Sequence, residues 1–157
     1  MKNMHKMHKK KQTGFTILEI GVVMVILISL FMVFSAGIWE KQTASDINLI
    51  QQFFESKMAT AFNNCRQVHS NVLEGLDQAD IRDCSGLSNN VVGIPWAAPG
   101  AVTNGLLVVT MDLSSMSEHT FVGTSVFNNL TANNYSHIDI ANSSWADPVL
   151  TIQLRAR

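Results

Sequence analysis

The longest hydrophobic segment of the chain runs from Ile20 to Trp39 and contains no charged residue. As an α-helix it would be about 30 Å long, which matches the hydrocarbon core of a bilayer. Its most polar members, Ser29 and Ser35, can hydrogen-bond to the backbone of their own helix. A soluble core helix of this length would carry a polar stripe. The pattern therefore predicts a transmembrane helix over residues 20–39.

Beyond Trp39 the pattern changes to that of an amphipathic helix. Apolar residues recur at spacings of three and four, as expected for one helix face: Ile47, Ile50, Phe54, Met58, Ala61 and Cys65. Polar and charged residues fill much of the remaining surface, and no proline interrupts the stretch. We therefore predict one long N-terminal helix over residues 15–65, transmembrane in its first half and amphipathic in its second. The Asn63–Asn64 pair is typical of a helix end and marks the predicted stop.

The last third of the chain has the composition of β-strands. Segments rich in Val, Ile, Thr and Phe alternate with turn sequences and predict strands at residues 105–113, 119–127, 136–140 and 149–154. Residues 66–104 are rich in turn formers, with a short helical pattern at 68–76 and a fifth strand pattern at 91–94. These elements predict an α+β protein with an antiparallel β-sheet of about four strands, one face of which packs against the amphipathic half-helix. The predicted segments are a leader (1–14), the helix (15–65) and a head domain (66–157).

The charge is distributed unevenly along the chain. Residues 1–14 carry five lysines and no acidic residue, whereas the chain from Phe15 onward has 6 Lys and Arg against 12 Asp and Glu. The basic segment contains no aromatic residue and joins directly to the apolar run. This arrangement follows the positive-inside rule, with the lysines at a cytoplasmic membrane face. Specific nucleic-acid binding is not expected.

Cys65 and Cys84 are the only cysteines in the chain. In an oxidising compartment they are expected to form a disulfide, worth about 3 kcal/mol in the chain-entropy model. A pair of free thiols is the alternative. A metal site is not expected, because two cysteines are too few ligands and His69 has no obvious partner. No cofactor is expected either.

No catalytic constellation is visible, and we do not expect an enzyme. Ser117, Glu118 and His119 form a cluster that is interpreted as a solvated loop. Asn129 and Asn142 lie in Asn-x-Ser/Thr sequences, but so short a motif carries little weight on its own. Two tryptophans are candidates for surface contacts, although core packing is expected of a lone tryptophan: Trp96 and Trp145.

The sequence GFTILE at residues 14–19, preceded by lysines and followed by the apolar run, resembles the prepilin signature of type IV pilins and pseudopilins. The resemblance implies a pilin-like fold and cleavage by a prepilin peptidase between Gly14 and Phe15, followed by methylation of the new N-terminus at Phe15. Glu19 then occupies the fifth position of the mature chain, where the family uses a glutamate for subunit registration. The implied partners are the peptidase, other pilin subunits and an inner-membrane assembly platform.

Elementary physics agrees with this resemblance. Gly14 offers no side chain, so a protease can approach its backbone closely. A carboxylate costs about 3 kcal/mol at mid-bilayer and less near the edge. Glu19 therefore needs a partner, and the amine that cleavage creates at Phe15 of a neighbouring subunit would supply one. The alternative is that Glu19 lies at the membrane edge and reaches water.

Within this family the closer resemblance is to type IVb pilins. The leader, residues 1–14, is longer than is typical of type IVa, and Ala36 stands where many type IVa pilins have a proline, with Gly37 as a milder weak point. The stretch FSAGIWEKQTASD also looks like the type IVb region. Two features depart from that group: the chain left after the leader, residues 15–157, is short, and both cysteines lie early. A reduced type IVb pilin or a minor pilin would fit these departures.

The implied protein is a single-pass inner-membrane precursor with a cytoplasmic leader and a periplasmic head, later assembled into a cell-surface pilus. Such pili serve adhesion, aggregation, conjugation or DNA uptake. One alternative is a pseudopilin of a type II secretion system, and another is an unprocessed, membrane-anchored periplasmic binding module. A secretory signal peptide cut after Ser35 is disfavoured, because the apolar run exceeds the usual length of about 7–15 residues and Glu19 lies at its start.

Overall fold

The computed structural model describes residues 17–156, apart from the side chains of residues 36–40. The predicted leader and the cleavage site at Gly14 and Phe15 lie outside these residues. The chain divides into two compact units, Met1–Trp39 and Glu40–Arg157. Each unit is described by itself below.

An unbroken helical run extends from Ile17 to Val68. It consists of α1 (Ile17–Gln52), one π-helical turn (Phe53–Lys57) and α2 (Met58–Val68). The predicted long helix is confirmed over these residues, but the predicted stop at Asn63–Asn64 is wrong. Phe62 and Cys65 on either side of the pair are buried, so packing holds the asparagines in the helix. Only after Val68 does the backbone turn left-handed, with φ of 53° at Ser70 and 68° at Asn71.

Two further helices differ from the prediction. Residues 68–76 are not a helix of their own, and the next helix is α3 (Gln78–Ser85). Asp77 caps α3, since its Oδ1 accepts the Asp80 N–H at 3.0 Å while Asp80 Oδ2 accepts the Asp77 N–H at 3.1 Å. The predicted strand at 119–127 is wrong, because these residues begin α4 (His119–Asn133).

The antiparallel sheet has five strands: β1 (Asn90–Val91), β2 (Ile94–Ala97), β3 (Leu106–Asp112), β4 (Ile138–Ala146) and β5 (Val149–Arg155). Their order is β1-β2-β3-β5-β4, and every neighbouring pair is antiparallel. The α+β class and the antiparallel sheet are confirmed; three of the four predicted strands are present as β3, β4 and β5, and β1 and β2 complete the five. β5 lies between β3 and β4, so those two strands run parallel and α4 connects them.

One face of the sheet forms the core of the head. Its buried positions alternate along β3 and β5 and pair across them, as Leu107 with Leu154, Val109 with Ile152 and Met111 with Leu150. The residues between them, such as Val108 and Gln153, are half-buried. The buried face of the helical run joins the same cluster through Ile50, Phe53, Phe54, Met58, Ala61, Phe62 and Cys65, and α4 joins it through Val122, Val126 and Leu130. The amphipathic helix therefore packs on the sheet as predicted.

β4 is an irregular edge strand. Its pairing with β5 shifts between Asp139 and Ser144, so the intervening residues form a bulge. Ser143 Oγ fills this bulge by donating to the Asp139 carbonyl at 2.7 Å and accepting the Gln153 N–H at 3.0 Å. The bulge interrupts the free edge of the sheet, which limits pairing with another chain.

Candidate membrane and assembly helix

The first unit presents an apolar surface on every side of α1. Ile17–Ser35 has a mean hydropathy of 2.8 and none of it is buried. Four successive residues, Val22 to Val25, cover a full helical turn and are 50–65% exposed. By length and composition this helix can cross a membrane, as a signal sequence near an N-terminus also can. Exposed apolar surface of this extent is unfavourable in water, so the segment needs lipid or other helices around it.

The two serines of this segment are satisfied within the helix. Ser29 Oγ donates to the Val25 carbonyl at 2.8 Å, and Ser35 Oγ donates to the Met32 carbonyl at 3.1 Å. Both bonds follow the pattern predicted from the sequence. The two hydroxyls therefore do not require a hydrogen-bond partner from lipid or from a neighbouring helix.

Glu19 lies in the first turn of α1. A negative side chain is favoured there, because the helix macrodipole places partial positive charge at this end. Gly14 and Phe15, which form the predicted cleavage site, lie outside the described residues.

The predicted disulfide is present and joins the C-terminal part of α2 to the C-terminal part of α3. Cys65 and Cys84 have their Cα atoms 5.0 Å apart, and Cys65 is fully buried. Both cysteines of the chain are used, so the alternative of free thiols does not apply. The bond fixes the segment after α2 to the helical run.

A polar clasp, which the sequence analysis missed, surrounds the π-helical turn. The Glu55 carboxylate accepts hydrogen bonds from the Tyr135 hydroxyl and the Gln51 side-chain amide. His137 Nε2 donates to the Phe54 carbonyl at 2.9 Å. This clasp fixes the turn from the segment between α4 and β4. The hydrogen bond to Glu55 raises the pKa of Tyr135, and burial and the Glu55 charge raise it further.

The π-helical turn explains why the predicted helix face was incomplete. A π turn contains one residue more than an α turn, so both Phe53 and Phe54 point into the core, at 1% and 0% exposure. The regular spacing of three and four had included only Phe54. The one signal in the sequence is the pair of polar residues Gln51 and Glu55, which lie one turn apart on the face that meets Tyr135.

The Ser117–Glu118–His119 cluster is not a solvated loop throughout. His119 begins α4, and its Nε2 lies 3.3 Å from Asp147 Oδ1 in the turn between β4 and β5. Thr120 Oγ1 donates to the other carboxylate oxygen of Asp147 at 2.7 Å. These contacts hold the start of α4 against the turn, which is a structural role.

The remaining candidates have simple positions. Trp96 is 2% exposed and its indole N–H donates to the Ser88 carbonyl at 2.7 Å, as expected of a core residue. Trp145 is half-buried in β4, while Asn129 in α4 and Asn142 in β4 are exposed. Between residues 17 and 156, no group of three or more His, Cys, Asp or Glu side chains is placed to hold a metal ion.

Comparison of the chain with protein-family models, curated proteins and solved structures found no match. The functional assignment therefore depends on the residues and their geometry.

Proposed function

We propose that the chain is a structural subunit of a bacterial type IV pilus of the type IVb-like kind. It is made as an inner-membrane precursor, cut by a prepilin peptidase after Gly14 and polymerised through its N-terminal helix. The observation that carries this proposal is a helix with apolar side chains exposed on every side from Ile17 to Ser35 and with Glu19 in its first turn. In the sequence this helix directly follows the lysine-rich GFT signature.

The apolar surface supports assembly because it can serve in two environments. In the precursor, lipid surrounds it, and in a filament, neighbouring copies of the same helix replace the lipid. Burying apolar area contributes about 25 cal/mol per Å² relative to water, and lipid and packed helices both supply this gain. Transfer from bilayer to filament is then close to balanced, so that specific contacts decide it.

Glu19 is the contact that favours assembly over simple anchoring. A carboxylate on a membrane-spanning helix is costly, and such residues commonly mark functional contacts. After processing, the amine of Phe15 on one subunit pairs with Glu19 of another and sets the axial register. The head domain, residues 66–157, then forms the outer surface of the filament and serves adhesion, aggregation or DNA transfer.

The first test is the intact mass and N-terminal sequence of the protein isolated from its own host. The proposal expects a chain that starts at methylated Phe15. A chain that starts at Met1 would refute processing and leave an unprocessed membrane anchor. A chain that starts at Ala36 would identify a secreted domain in which Glu19 has no assembly role.

A second test separates assembly from insertion. Glu19→Ala should abolish filaments in the sheared extracellular fraction while the amount of subunit in the membrane stays unchanged. Ser29→Ala is the matched control, because it removes a polar group from the same helix without touching the registration contact, and it should leave filament yield unchanged. Equal filament yields from both variants would contradict the role of Glu19. Processed subunits without any surface filament would instead identify a pseudopilin.

A further inference from the structure

A tight hairpin in the head contains the single Asn-Gly sequence of the chain. Thr103 and Leu106 exchange both backbone hydrogen bonds, at 2.9 and 3.0 Å, and enclose Asn104 and Gly105. Both enclosed residues have positive φ, 54° and 69°, as in a type I′ turn. Asn104 is exposed to solvent.

The carboxylate of Glu74 holds this hairpin from a distant part of the sequence. Its Oε1 accepts the Asn104 backbone N–H at 2.8 Å, and its Oε2 accepts the Gly105 N–H at 3.1 Å. The next residues continue the attachment, because the Gly75 N–H donates to the Val102 carbonyl at 2.9 Å. One side chain therefore binds both amides of the turn.

We propose that Asn104 is a deamidation site whose reactivity is held in check by Glu74. In this reaction the backbone nitrogen of Gly105 bonds to Cγ of Asn104 and ammonia leaves with the amide proton, which gives a succinimide ring. Solvent water then opens the ring to aspartate or isoaspartate. One water is consumed, one ammonia is released and no electron is transferred. Glycine favours this step because it has no side chain to obstruct the ring.

Glu74 opposes the reaction in two ways. The attacking group is the Gly105 amide after it has lost its proton, and a neighbouring carboxylate disfavours that negative charge. The same N–H must also leave Glu74 before its nitrogen can turn toward the Asn104 side chain. Local opening of the clamp therefore precedes the chemistry, and its free energy sets the rate.

Deamidation would weaken the contact between Glu74 and the hairpin, which slows the reaction in the intact protein. Aspartate at position 104 places a second negative charge beside Glu74, and isoaspartate adds a backbone atom to a turn whose geometry admits only Asn104 and Gly105 between the paired residues. Both products loosen the hairpin and the adjoining contact to Val102, which is buried in the core. Modification of the exposed Asn104 side chain would thus destabilise the interior of the head. This consequence does not depend on the proposed function.

The test uses the full-length protein in detergent, incubated at mildly alkaline pH and followed by peptide-mapping mass spectrometry. Deamidation appears as a gain of about 1 Da at Asn104. Glu74→Ala should accelerate it about tenfold, which corresponds to about 1.4 kcal/mol less opening free energy. Glu74→Gln, which keeps one acceptor oxygen without the charge, should give a smaller acceleration. Asp83→Ala is the matched control, because it removes a carboxylate that is exposed in α3, and it should have no effect.

The deamidation rate at Asn142, which is followed by Ser143, serves as an internal control for global unfolding in the same digests. Asn142 is exposed in β4 and far from Glu74 in sequence. Its rate should not change in either Glu74 variant. Equal rates at Asn104 in wild type and both Glu74 variants would overturn the proposal. A slower rate in Glu74→Ala would also overturn it, since Glu74 would then act as a base. Equal acceleration at Asn104 and Asn142 would mean global unfolding and refute a specific clamp.

Discussion

Gly123 lies on the buried face of α4, directly against the indole ring of Trp145 in β4. A Cβ atom built on Gly123 would be 2.2 Å from Cη2 of Trp145 and 2.4 Å from Cζ2 and Cζ3. Ordinary contact begins at 3.4 Å, so the ring would have to move away before a methyl group could fit. The glycine is therefore required for close approach of helix and strand, and we expect Gly123→Ala to destabilise the head.

The magnitude follows from two opposing effects. Alanine in a helix interior is favoured over glycine by about 1 kcal/mol. Overpacking of this kind costs about 1–3 kcal/mol, and contact with three ring atoms at once places it near the upper end. The net loss of unfolding free energy should be about 1–2 kcal/mol. In a Trp145→Ala background the clash disappears, and the same substitution should stabilise by about 1 kcal/mol.

The measurement is a double-mutant cycle on Gly123 and Trp145, with unfolding free energies from urea titration of the full chain in detergent. The expected coupling is about 2–3 kcal/mol. A coupling below about 0.5 kcal/mol, the level at which independent sites add, would refute the close approach. Gly100→Ala is a useful control, because nothing lies within 4 Å of a Cβ at that position, and it should show no coupling to Trp145.

Three further outcomes are expected. Cys65→Ser with Cys84→Ser should lower the unfolding free energy by about 3 kcal/mol, and reductant should lower the wild-type urea midpoint but leave this variant unchanged. Tyr135 is the only tyrosine, so its ultraviolet absorbance reports its titration directly, and Glu55→Gln should lower its raised pKa; an unchanged titration would contradict the clasp. Burial raises the pKa of Asp46 above its ordinary 3.8, so the folded state binds this proton more readily than the unfolded state and stability falls as pH rises through that region. Asp46→Asn should flatten the dependence of the urea midpoint on pH there, and an unaltered slope would exclude the desolvation.

The long helix could be predicted because its signals are strong and local. Residues 20–39 contain no charged residue, and the apolar spacing of three and four from Ile47 onward repeats over five helical turns. The π-helical turn at Phe53–Lys57 could not be predicted in this way. It depends on bonds from Tyr135 and His137, which lie about 80 residues further along the chain.

The error at residues 119–127 has a physical reason. Val, Thr and Phe dominate the segment and favour a strand by composition. The structure buries Val122, Val126 and Leu130, which lie four residues apart on one face of α4, so tertiary packing overrides the local preference. Gly123 is part of the same effect, because its lack of a side chain lets that face approach β4.

Among the polar features of the molecule, too, only the local ones could be predicted from the sequence. The serines of the apolar helix and the disulfide follow from local chemistry and from the cysteine count. The Glu74 clamp was not visible in the sequence, because it joins residues about 30 positions apart through a loop whose bends depend on contacts with the rest of the head. Polar side chains that bind distant backbone amides leave no periodic pattern.

The position of β5 has a consequence for biosynthesis. β3, α4 and β4 are all synthesised before β5, yet β5 lies between β3 and β4 and pairs with both. Until β5 has emerged from the ribosome, the growing chain has unpaired strand edges on β3 and β4 and an open apolar face, so the head cannot complete its fold before that point. A deletion within residues 149–155 would therefore separate β4 from the rest of the sheet, whereas a deletion of β1 would remove only an edge strand.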